Sequence, residues 1–203
     1  MKVGIVVDGQ AESQALRRLL PKIKAPGRNL TGPAYADIQP RGSAAQIARA
    51  VVRKLKILQG RGADAFVVLL DCEDPQRCAP GFAREIEQAL ARLEWSGVHV
   101  VVKRFKFENW LIADVDALKR MRTRFRVTRR FEKRVSPNKA DHVVDATAEL
   151  ARLCQGAAYH KRRDPLEIAK HQQPRRMAEN SRSFRRFLRV AGCRKYANQS
   201  RNP

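Results

Sequence analysis

The chain has 203 residues and is 43% hydrophobic, enough for one α/β domain with a sizeable core, and that excludes a disordered polymer. Its 42 Lys and Arg against 20 Asp and Glu leave a net charge of +22, an excess that points to a polyanionic partner, nucleic acid first. No apolar run approaches the ~20 residues that span a bilayer and no secretory signal is recognisable, so a soluble, cytoplasmic protein is expected. Cys72, Cys78, Cys154 and Cys193 show no CxxC spacing and read as free thiols.

In chain order, Val3–Val7 is a short apolar run closed by Asp8-Gly9, which suits a buried strand and a tight turn. Residues 12–24 carry Leu16, Leu19, Leu20 and Ile23 at helical spacing. After a Gly- and Pro-rich stretch, a second strand is expected around Tyr35–Ile38. Ser43 then N-caps a long helix to Leu58, with Ile47, Val51 and Leu55 inward. Phe66–Asp71 reads as the central buried strand, residues 82–95 as a helix and residues 98–103 as a fourth strand. This β-α-β alternation predicts an α/β fold with a mostly parallel sheet and helices on both faces.

Downstream, Phe107 opens another amphipathic helix that runs towards Leu118. Residues 119–134 hold nine Lys or Arg and one acid. There Arg120, Arg122, Arg124 and Arg126 alternate with less polar residues, and the period of two predicts a strand with one cationic face. Such a face can follow a phosphate backbone or merely be solvated, and both readings stand. A helix over 139–153 and short helices over 166–171 and 183–190 complete the prediction. The division expected is an α/β domain over 1–118, a basic, mainly helical C-terminal extension over 119–192, and a disordered tail over 193–203.

The stretch Asp71-Cys72-Glu73-Asp74-Pro75 places three carboxylates where the central strand ends. Ligands of open α/β sheets collect at that edge, and crowded carboxylates repel unless a cation or proton sits among them. Asp8 follows another strand and would share the edge. The plainer reading is an acidic turn leading into a helix, since Asp74 before Pro75 is a good entry signal. The chain contains neither GxGxxG after the first strand nor GxxxxGK[ST] nor GxSxG, which sets aside the dinucleotide, P-loop and α/β-hydrolase sites.

Val6-Val7-Asp8-Gly9-Gln10-Ala11-Glu12, Leu70-Asp71-Cys72-Glu73-Asp74, Phe107-Glu108-Asn109-Trp110-Leu111 and Tyr159-His160-Lys161 together carry a resemblance. They resemble a small Toprim-like family that carries a domain-of-unknown-function name and is often encoded beside ATPases in anti-phage defence loci. The resemblance implies a Toprim-like (Rossmann-like) fold and a Mg²⁺-dependent nuclease, with Mn²⁺ as an alternative ion. Nucleic acid and an ATPase would be its partners. It implies that Asp8 stands where that fold has its first-strand Glu, with Glu12 as the second acid of the motif, both in catalytic roles. Asp71 and Glu73 would stand at the metal-binding Asp-x-Asp pair, followed by Asp74, with Glu108 an additional acid. Asp8 is a methylene shorter and Glu73 a methylene longer than the pattern. Those departures leave room for a second function, a non-catalytic nucleic-acid-binding or adaptor subunit. Lys103, Arg104, Lys106 and Lys161, with the four alternating arginines, are the candidate phosphate contacts.

Overall fold

The computed structural model describes residues 1–198. Four strands, β1 (Lys2–Val7), β2 (Asn29–Tyr35), β3 (Ala65–Asp71) and β4 (Val98–Lys103), form one all-parallel sheet in the order β2-β1-β3-β4. Parallel strands need crossovers, and helices supply them. Helix α1 (Gln10–Leu19) links β1 to β2, α2 (Ala44–Gly60) links β2 to β3, and α3 (Ala79–Ala91) links β3 to β4. Because β2 lies on one side of β1 and β3 on the other, the chain reverses its winding between β1 and β3. That is the topological switch point, where the two strand ends leave a crevice.

Both faces of the sheet are buried, and the strand sequences show it by parity. Val6, Val68, Leu70, Val100 and Val102 face α2 and α3. Ile5, Val7, Val67, Leu69 and Val101 face α1 and the C-terminal half of the chain. The C-terminal half contributes α4 (Phe107–Ile112), α5 (Val115–Arg120), α6 (Arg129–Val135), α7 (Ala146–Leu153), α8 (Asp164–His171), α9 (Pro174–Asn180) and α10 (Arg182–Val190). Their Trp110, Phe131, Leu150, Ile168, Met177, Phe184 and Phe187 belong to the same apolar core as Ile5 and Leu16. The basic C-terminal residues are thus the second cover of the sheet.

Several elements depart from the sequence reading. Strand β2 lies earlier than Tyr35–Ile38, over Asn29–Tyr35, and its register with β1 shifts between Gly4 and Val6. Gly32 makes the shift feasible: its φ is +106°, and a Cβ there would meet Ile5 O at 2.8 Å. The alternating arginines do not lie on a strand. Arg124 N and Phe125 N both donate to Met121 O, which closes a helical turn, and only Phe125 makes a bridge, to Cys154. Phe125 is the buried anchor, with Met121 packed on the same core one turn earlier, so the pattern reflects a turn's inner face. The helix expected to run on from Phe107 breaks where Asp114 caps Ala117 N at 3.1 Å. The one expected over 139–153 breaks too. Asn109 Nδ2 takes the Ala140 and Val143 carbonyls, and Asp145 caps α7 through Ala148 N. Order also continues beyond 192, with Cys193 buried and a 3-10 turn at Arg194–Tyr196. The remainder of the expected tail, 199–203, lies outside the described residues. All four cysteines are free thiols. Among the described residues no helix is long and apolar enough to cross a membrane.

Candidate functional site

The switch point places two carboxylates side by side. Asp8 is the first residue after β1, and Asp71 is the last of β3. Asp8 Oδ2 accepts from Asp71 N at 2.7 Å, which ties the two strand ends together. Glu12 lies in the first turn of α1 and is buried, its Cβ close to Gly9, where any added Cβ would press it at 3.3 Å. Each of Asp8, Glu12 and Asp71 offers an oxygen within 4.8 Å of the others, the arrangement of a cation site.

The fourth member is Lys103. In register it stands opposite Asp71, so both side chains leave the same face of the sheet. Its ammonium donates to both Glu12 oxygens at 2.7 Å and lies 3.0 Å from Asp71 Oδ1 and 3.6 Å from Asp8 Oδ1. The Lys103 side chain is wholly buried, whereas Asp71 keeps 19% of its side chain exposed. The nitrogen also lies 5.7 Å from the Trp110 ring centre and 5.8 Å from that of Phe107, so α4 forms a π-rich wall beside it. Trp110 is fixed in turn by Nε1 donating to Ser183 Oγ at 2.8 Å and by stacking on Phe187.

Three carboxylates and one ammonium leave the cluster short of donors. Asp8 Oδ1 and Asp71 Oδ1 are buried and accept no hydrogen bond, Asp71 Oδ1 lying near Nζ but out of hydrogen-bond alignment. Burial pushes the Asp71 carboxyl up to about 7, against the pull of Lys103 and helped by the Asp8 charge. Burial likewise raises Glu12 well above the ordinary carboxylate range, against the pull of Lys103, and Asp8 and Asp71 add to the shift. For Lys103 burial acts to lower the pKa, but Asp71, Glu12 and Asp8 together outweigh it and keep the ammonium charged.

The remaining predicted residues are scattered. Glu73 is exposed and lies 3.6 Å from Arg41 Nε, outside the cluster. Asp74 accepts from Gln76 N at 2.9 Å, a turn contact of the plainer kind. Glu108 is half-buried in the first turn of α4, and its charge bears on both Asp71 and Tyr159. Lys103, expected to reach a phosphate, is instead enclosed by carboxylates. Arg104 is exposed, Lys106 half-buried ahead of α4, and Lys161 exposed. Arg120 donates to His171 O, and Arg124 pairs with Asp164, while Arg122 and Arg126 are exposed. The position of Lys103 was available from register, since it shares strand parity with Val101 and stands at the end of β4.

The family model described as Domain of unknown function (DUF4276) matches residues 7–190. The chain belongs to that family. The match begins one residue before Asp8 and ends with α10, so it takes in the whole acid cluster and the Trp110 wall. No curated protein matches this DUF4276 chain, and no solved structure does.

Proposed function

We propose that this DUF4276 protein is a Mg²⁺-dependent, Toprim-like nuclease acting on phosphodiesters, working beside an ATPase in anti-phage defence. The observation that carries the reading is the grouping of Asp8, Glu12 and Asp71 at the switch point of a strongly cationic chain, with Asp8 Oδ1 and Asp71 Oδ1 buried and lacking an aligned donor although the Lys103 ammonium lies 3.6 and 3.0 Å away. Buried carboxylate oxygens without donors are costly, and a hard divalent cation is the partner that suits an all-oxygen site. Asp8, Asp71 and Glu12 would hold it. A bound Mg²⁺ or Mn²⁺ offsets negative charge on a phosphodiester and orients the attacking oxygen.

The chain's own groups have separable tasks. Asp8 positions Asp71 through the 2.7 Å bond to its backbone N–H. Lys103 clamps both Glu12 oxygens and leaves Asp71, the most exposed of the three acids, as the group nearest an incoming substrate. The Asp71 carboxyl can accept a proton near neutral pH in the metal-free protein. Asp71→Ala is expected to abolish cleavage of DNA and RNA with Mg²⁺ or Mn²⁺ while the fold survives. A pure wild-type protein that cuts neither substrate, alone or with its ATPase, overturns the nuclease.

One observation favours the second reading, a non-catalytic adaptor. The Lys103 ammonium already stands among the three carboxylates and offsets part of their charge. Calorimetric titration decides between them: heat of binding that disappears in Asp71→Ala supports the nuclease, and no binding at millimolar Mg²⁺ and Mn²⁺ supports the adaptor.

A further inference from the structure

A cavity of about 500 Å³ lies beyond the open edge of β4, between the loop leading into α3 and the start of α10. Arg77, Arg104, Arg182 and Arg186 line it. Among the described residues, Arg77, Arg104 and Arg182 make no ion pair. Other arginines of this chain do find acids: Arg134 and Arg152 share Glu149, and Arg176 reaches Asp116. The cavity's own carboxylate, Asp141, is already engaged by Ser181 Oγ, Ser183 N and Ser183 Oγ at 2.8–3.0 Å. Its charge is therefore shared among donors that the fold requires.

Two further features favour an anion. The Arg77 guanidinium is preorganised, 4.0 Å above the Phe82 ring. Helix α3, thirteen residues long, opens on the cavity through Cys78, Ala79 and Pro80, with no side-chain cap and no acid in its first turn. Its positive end is left for a ligand. Three unneutralised guanidiniums around one cavity repel one another, and a multiply charged anion removes that repulsion. Val102 lines the cavity from the α2 and α3 face of β4, while its neighbour Lys103 points to the opposite face into the acid cluster, so the two sites flank the end of the same strand.

We propose that this cleft seats the phosphate backbone of a nucleic acid next to the acid cluster, an inference that rests on the nuclease reading and names where its substrate lies. Arg104 and Arg182 would contact phosphates and Arg77 would sit deeper, with no base-specific reading required.

The test uses the full chain, a 12-nucleotide oligothymidylate and metal-free buffer, so that binding is separated from cutting. Arg104→Ser with Arg182→Ser is expected to weaken binding and flatten the log K against log salt slope by about 1.4, at ~0.7 per contact on a single strand. Cys78 is an exposed thiol in the cleft, so its alkylation, followed by peptide mass spectrometry, reports occupancy in the unaltered protein. The oligonucleotide should slow it several-fold. An unchanged slope with unprotected Cys78 overturns the cleft, as does protection by inorganic pyrophosphate equal to that by the oligonucleotide. Cleavage that persists with an unchanged slope leaves the nuclease standing and removes the cleft. A lost slope in a protein that never cuts does the reverse.

Discussion

Two buried charge clusters in the same chain are built on opposite plans. In one, Asp164 accepts from Arg124 Nη2 and Nε and from His160 N, while Arg124 also donates to the carbonyls of Gln155, Ala157 and Ala158. Donors and acceptors match there. Burial acts to raise the Asp164 carboxyl, but the hydrogen bonds from Arg124 and His160 overcome it and hold it below the ordinary range. In the other, the carboxylate oxygens of Asp8, Glu12 and Asp71 outnumber the donors of Lys103, and burial raises Glu12 and Asp71 against the pull of that one ammonium. A saturated pair is an anchor for a loop. An unsaturated cluster at a switch point is a place for something else to bind.

The largest expected effect removes the one cation of the unsaturated cluster. Lys103→Met leaves three carboxylates together and should destabilise the protein by about 3–5 kcal/mol at neutral pH. Chemical denaturation measures it, and added Mn²⁺ or a pH near 5 should restore much of the loss. A variant as stable as wild type, or one that metal cannot rescue, breaks the reading of Lys103 as the cluster's own counter-ion.

Next comes Asp164→Ala, which leaves Arg124 partly buried without its partner and frees His160 N, at a cost of about 3 kcal/mol. Asp71→Asn should fall within about 1 kcal/mol of wild type, because it removes a crowded negative charge. Equal losses in the two variants would erase the distinction between anchor and site.

The clusters also differ in the sign of their pH dependence. The folded protein holds the Asp71 proton up to about pH 7, against an ordinary 3.8, so this group favours folding at low pH and that contribution falls as pH rises from about 4 to 7. Asp164, with its pKa lowered, contributes stability above about pH 4 and loses it as pH falls further. Metal binding must displace the Asp71 proton, so the rise in Tm on adding Mg²⁺ should grow from pH 6 to pH 8 and vanish in Asp71→Asn. A rise that is flat with pH contradicts the role given to Asp71.

How much of this was legible from residues alone follows from what each inference needed. Apolar runs and turn residues sufficed for β1, β3, β4 and the parallel sheet, though not for the place of β2, and the strand-end positions of Asp8 and Asp71 sufficed to bring them together. The place of Lys103 required strand register, since a lysine in so basic a chain reads as solvated until Asp71 is seen opposite it. Glu73, which the resemblance would pair with Asp71, stands outside the cluster because β3 ends at Asp71 and the chain leaves the strand there. The arginine alternation failed for a related reason: the period of two was sampled over a turn anchored by Phe125, where no neighbouring strand exists to enforce it. The pairing of Arg124 with a carboxylate forty residues away has no local signal at all.

That turn supplies the smallest expected effect. Arg122 and Arg126 are exposed and share no strand face, so their charges do not form a row about 6.6–6.8 Å apart that could follow successive phosphates. Arg122→Ser with Arg126→Ser should leave stability within about 0.5 kcal/mol, as surface changes do. Long-range attraction falls with two charges removed, but without direct phosphate contacts the log K against log salt slope should change by well under one unit. Measured on the same oligothymidylate, this pair is the matched control for Arg104 and Arg182, with equal charge lost from a different place. If the turn pair flattens the slope as much as the cleft pair, net charge alone governs binding. If it flattens the slope more, the contact surface lies around the turn between α5 and α6 and not in the β4 cleft.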